Sequence, residues 1–143
     1  MGVEENKAVV QKFVEAMSKG DATVVDELLS DDFVMHNLVS GKDNDRNTVK
    51  QNNANAHINL SGYSVDIEDM IAEDNKVNVR QTFRGKHTGD FHNIAPTGND
   101  LSVARFVTFR LAGGYVVEGW VLADDHSLNQ QLGALPPTEE IGK

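Results

Sequence analysis

Residues 119 to 125 read Gly-Trp-Val-Leu-Ala-Asp-Asp and close a run with strand character that begins near Tyr115. Side chains two apart on a strand share a face, so Trp120, Leu122 and Asp124 would point the same way. A carboxylate in such company either ends the strand and caps the next segment, or faces a pocket. In a pocket, desolvation raises its pKa and suits it to proton transfer. Asp125 would point the opposite way, toward solvent or into a cap. Gly113-Gly114 is a strong hairpin signal. A two-residue turn there sets Asp124 opposite Val103 and Arg105 diagonal to Asp124 on one face. Arg105 then holds Asp124 ionised and polarises a substrate oxygen, or forms an ordinary cross-strand salt bridge. A one-residue slip would send it to the other face. His87, where a strand meets a loop, is a hydrogen-bond donor to a reacting oxygen or a structural residue bonding its own loop. His36, beside an apolar strand end, reads as pocket floor or surface. His57, His92 and His126 read as surface residues. His87 and His92 lie five apart with no third ligand, so no metal site is expected.

The whole chain bounds this chemistry. It has 143 residues, no Cys, 39% hydrophobic and 24% charged residues, and a formal charge of −9. That length supports a core, and one domain over 1–143 is expected, with a disordered tail over about 137–143. The acidity argues against nucleic acid or anionic membrane as partners. Without Cys there is no thiol nucleophile, disulfide or thiolate metal site. No apolar signal core or membrane-length apolar run occurs, so a cytoplasmic protein is expected.

The elements that must position these residues are set by periodicity. Val9, Val10, Phe13, Val14 and Met17 mark one face of a first helix, closed by Gly20, with Asp21 as cap of a second helix carrying Val25, Leu28 and Leu29. Phe33 to His36 reads as a short strand and 37–46 as loop. A third helix is predicted from Asn47 to about Leu60, although Gln51-Asn52-Asn53-Ala54-Asn55 is poor helix material. After Gly62 the period becomes two. One strand carries Tyr63, Val65 and Ile67, with a bulge near Asp69. A second carries Val77, Val79, Gln81 and Phe83, and a third runs from Leu101 to Leu111. Residues 85–98 form a loop or lid. Helices followed by antiparallel strands give an α+β domain; if the sheet curves, it and the helices enclose a cone-shaped pocket.

Several of these segments carry a resemblance. The opening helix from Glu5 to Met17, Asp32-Phe33-Val34 with His36, and Arg84-Gly85-Lys86-His87-Thr88-Gly89-Asp90-Phe91 belong to it. So do Glu118-Gly119-Trp120, Asp124 and the tail Leu128-Asn129-Gln130-Gln131-Leu132-Gly133-Ala134-Leu135-Pro136. Together they resemble the SnoaL-like polyketide cyclases of the nuclear-transport-factor-two-like superfamily. The resemblance departs at Met35, where relatives often carry Asp, and in the Asn-rich third helix.

The resemblance implies a curved antiparallel sheet packed by N-terminal helices around a deep apolar pocket. It implies a cyclase or isomerase acting on a hydrophobic, polyketide-like substrate by intramolecular aldol chemistry, without metal or cofactor. The general acid/base falls on Asp124 by register against the tail. An epoxide hydrolase- or dehydratase-type enzyme and a non-catalytic small-molecule binder are the alternatives on this fold. Trp120, Phe13, Phe83, Phe109 and Val107, with His36, are the candidate substrate walls, or plain core. A homodimer or homotetramer is implied, with Phe106 and Val121 on an outer sheet face available for it.

Overall fold

The computed structural model describes residues 2–136. The expected tail at 137–143 lies outside them. The chain opens with two helices, α1 (Val3–Lys19) and α2 (Ala22–Leu28). Gly20 closes α1 in the left-handed region (φ 73°), which glycine enters without steric cost. The Asp21 carboxylate accepts the Val24 amide and starts α2, as a helix N-cap should. Then come β1 (Leu29–Asn37), β2 (Asp43–Asp45) and α3 (Arg46–Asn59). The short β2 lies inside the stretch expected to be loop. It pairs with β1 and leads through the Asp45 cap into α3.

Four long strands come next: β3 (Leu60–Glu73), β4 (Lys76–His87), β5 (Asp100–Ala112) and β6 (Tyr115–Ala123). The chain ends in α4 (Asp125–Gln131). The six strands form one curved, unclosed sheet in the order β2-β1-β6-β5-β4-β3. Its one parallel pair is β1 with β6; the remaining neighbours are antiparallel, which qualifies the expected all-antiparallel sheet. The α+β class and the helices on the concave face are as expected. α1 packs Val10, Phe13 and Val14, each 3% exposed or less, onto that face, and the Phe13 ring meets Phe109 edge-on at 5.5 Å.

The β5–β6 hairpin decides which residues face inward. Gly113 and Gly114 turn the chain with φ of 58° and 85°, the left-handed pair a type I′ turn requires. Leu111 pairs with Val116, but Arg110 pairs with Glu118, so Val117 is one residue too many in β6. A β-bulge of this kind inverts the alternation beyond it. Val116 is fully buried, and after the bulge the odd positions Gly119, Val121 and Ala123 face in. Glu118, Trp120 and Leu122 are thereby turned to the outer face. Gly119 pairs with Met35 of β1. A Cβ there would stand 2.9 Å from the Met35 sulfur.

Candidate active site

The concave face and the helices enclose a cavity of about 570 Å³. Its floor is apolar: Phe13, Phe83, Val107 and Phe109 line it, together with Val121 and Leu128. Val121 is expected from the sequence on the outer face; the bulge puts it inside. Phe106, by contrast, is outside and half exposed, paired with Leu122.

Two polar side chains stand on this floor in otherwise apolar registers. On β5 the inward series runs Leu101, Val103, Arg105, Val107, Phe109. On β4 it runs Val77, Val79, Gln81, Phe83. Gln81 and Arg105 are direct cross-strand partners. Both line the cavity, and the Arg105 guanidinium rests over the Phe83 ring at 5.2 Å. Arg105 forms no ion pair among the described residues. Its Nε–H is buried without a partner, and so are Gln81 Oε1 and Asn53 Oδ1. Arg105 therefore faces the cavity, although the bulge separates it from Asp124.

Asp124 itself is a correction. It is the N-cap of α4, its carboxylate accepting the Ser127 amide at 3.0 Å, and it does not line the cavity. The neighbouring Asp125 does line it, from the first turn of α4. The geometry thus reverses the expected assignment of the two. Asp125 makes no ion pair among the described residues and stands in the same cavity as Arg105.

His87 is also placed differently from its catalytic expectation. It is fully buried and does not line the cavity. The Thr97 amide and hydroxyl reach its Nδ1 at 3.2 and 2.9 Å, and its Nε2–H donates to the Ile94 carbonyl at 3.1 Å. That pattern assigns the Nε2–H tautomer and leaves neither nitrogen for a substrate. His87 instead ties down the loop 88–99. The loop is pinned a second time where the Thr88 and Gly89 amides both donate to the Asn59 carbonyl. At its tip Phe91 and Ile94 exchange both backbone bonds, with His92 and Asn93 at φ 50° and 61°. The tip carries Asp90, Phe91, His92 and Asn93 over the cavity mouth. For His92 this differs from the plain surface position its sequence context suggests.

Trp120 and His36 are not substrate walls; they stack on each other at 5.5 Å on the outer face. His36 Nδ1 lies 2.7 Å from Asp43 and Nε2 lies 2.7 Å from Glu118, which also takes the Arg110 guanidinium at 2.9 Å. The hydrogen bonds to Glu118 and then Asp43 hold the His36 pKa above its ordinary value. The same bond from His36, then the one from Arg110, holds Glu118 below its own. The third helix supplies the remaining wall with Val49, Asn52, Asn53, Asn55, Ala56 and Asn59. Its asparagines, weak as helix formers, make the helical side of the cavity polar. Among the described residues no cluster of three or more His, Cys, Asp or Glu is placed to hold a metal, and no helix is long and apolar enough to cross a membrane.

The fold is shared with known proteins. The sequence profile of the SnoaL-like polyketide cyclases matches residues 7–132. The chain belongs to that family. In sequence, no curated protein matches the chain. In structure it is similar to AclR of Streptomyces galilaeus, a candidate hydroxylase. The TM-score is 0.87 at 23% identity, covering 99% of this chain and 94% of AclR. IdmH of Streptomyces antibioticus, a candidate polyketide cyclase, superposes with TM-score 0.80 at 23% identity, covering 90% and 98%. A SnoaL-like protein of Jannaschia sp. CCS1 gives 0.82 at 21% identity, covering 94% and 95%. At these identities the likeness of the SnoaL members establishes the fold alone.

Proposed function

We propose that this SnoaL-family chain is a cofactor-free cyclase or isomerase-type enzyme acting on a polyketide-like ring substrate, with Asp125 as general acid/base and Arg105 facing the substrate oxygens. One observation carries this reading: a carboxylate and a guanidinium line one cavity without pairing with each other. The Asp125 carboxylate takes a proton from a carbon flanked by two carbonyls. The electron pair moves to oxygen as an enolate, facing Arg105. The carbon then attacks a second carbonyl of the same molecule, and the resulting alkoxide recovers the proton from Asp125. Apolar walls hold the chain folded for that closure, and the positioned carboxylate contributes about 10²–10⁴ in rate. A hydrolase or dehydratase needs a second pocket carboxylate near Arg105 to help activate water; Asp90 lines the same cavity, and loss of exchange in Asp125→Asn with Asp90 intact separates the two readings.

The test is deuterium exchange at the central carbon of acetyltetralone, a bicyclic β-diketone, followed by NMR. The wild type accelerates exchange, and Asp125→Asn lowers that acceleration about 10²-fold or more. Equal acceleration by wild type and Asp125→Asn would remove Asp125 from the chemistry.

A further inference from the structure

The floor of the cavity is built for a ligand with more defined chemistry than an apolar ring. Gln81 is 4% exposed and sits in the β4 register otherwise held by Val77, Val79 and Phe83, yet its Oε1 has no partner. Its cross-strand neighbour Arg105 has a buried Nε–H with no partner. Leaving buried polar atoms unpaired costs about 1–3 kcal/mol each, so a fold keeps them where something else supplies the bonds. Both side chains line the cavity, so a small turn of either brings these atoms to a ligand held there.

We propose that the ligand presents to Arg105 a pair of acceptor oxygens sharing one negative charge, with a hydroxyl nearby that donates to Gln81. The chemistry of the guanidinium makes the pair specific. Its Nε–H and adjacent Nη–H lie parallel in one plane and match two oxygens bridged by a short conjugated path. A carboxylate has this geometry, and so does a β-dicarbonyl enolate; a lone ketone or an unsubstituted ring does not. The guanidinium lies over the Phe83 ring at 5.2 Å, a contact that limits how far the fork can move. No carboxylate among the described residues forms an ion pair with Arg105, which leaves its guanidinium available to a negative charge carried by the ligand. The proposal rests on the reading of this cavity as the substrate site, and it adds what the substrate must carry.

Calorimetric titration of the intact protein with four probes tests it. They are acetyltetralone, tetralone with its single carbonyl, naphthoate, and a naphthoate with a meta hydroxyl. Wild type binds acetyltetralone or naphthoate at least 10-fold more tightly than tetralone. Preference for the first indicates the enolate and for the second the carboxylate. Arg105→Lys keeps the charge, loses the fork and gives up that preference. Gln81→Leu loses the preference for the hydroxylated naphthoate and raises the melting temperature of the free protein, because a buried unpaired acceptor is gone. Tetralone binding as tightly as both oxygen-pair probes in wild type overturns the proposal, whatever the variants do. So does unchanged selectivity in folded Arg105→Lys. Selective, Arg105-dependent binding without Asp125-dependent exchange would leave this inference standing and remove the catalytic reading.

Discussion

The Asp124 carboxylate accepts the Ser127 amide at 3.0 Å, and this bond commits it to the start of α4 while Asp125, one residue on, lines the cavity. Adjacent acids are thus divided between holding a helix and facing the cavity. Asp124→Ala removes the cap and is expected to lower stability by about 1 kcal/mol. Its proton-exchange activity should stay within a few-fold of wild type. Thermal melts and the exchange assay together check this; an activity loss matching that of Asp125→Asn, without a shift in melting, would return Asp124 to the chemistry.

The loop 88–99 depends on two anchors, and each can be broken separately. His87→Ala strands the Thr97 amide, takes one of two donors from the Ile94 carbonyl, which keeps the Phe91 amide, and opens a void, an expected cost of about 2–4 kcal/mol. Gly89→Ala would put a Cβ 2.9 Å from the Asn59 Cα and 2.6 Å from its side-chain oxygen, so the loop must lift off α3. Both variants should show faster amide exchange within 88–99 than in the β4–β5 ladder. Unchanged exchange in the loop of both would show that it is held by other contacts.

The His36 cluster makes stability depend on pH in a defined window. His36 has its pKa raised above 6.5 by Glu118 and Asp43, so its contribution is complete below 6.5 and is lost as pH rises through the raised value. Glu118 has its pKa lowered below 4.5, so its contribution is complete above 4.5 and is lost as pH falls through the lowered value. The two act together at full strength between these limits. The stability gap between wild type and His36→Gln should be largest there, at about 1 kcal/mol for so partly exposed a cluster, and should narrow as the solution becomes alkaline. Melts of both proteins across that range measure it; a gap that does not vary with pH would mean His36 is not charged in the fold.

Much of this fold was legible because its signals are local. Gly20 with Asp21, Gly113-Gly114 and the alternation of β4 and β5 each act within a few residues, and the expected bulge near Asp69 is present between Ile67 and Asp69. The bulge at Val117 was not legible. It lies between Val116 and Glu118 with no Gly or turn residue to mark it, and both valines suit a strand equally. Everything assigned by alternation past that point, namely Trp120, Asp124 and Val121, therefore falls on the opposite side from the one alternation predicts. Gln81 had a readable signal, since it interrupts an apolar series. The asparagines of α3 were legible only as poor helix formers. Their place along the cavity depends on how α3 packs over β1 and β3, which no local pattern records.

That single extra residue in β6 has a consequence for how such a protein changes over time. Removing Val117 would exchange the two faces of the strand beyond it. Glu118, Trp120 and Leu122 would turn toward the ligand, and the smooth lining of Gly119, Val121 and Ala123 would turn toward solvent. A one-codon deletion would rewrite the cavity in one step while sparing the hairpin turn. The lining of a cavity in this architecture is therefore open to change by insertion and deletion as well as by gradual substitution.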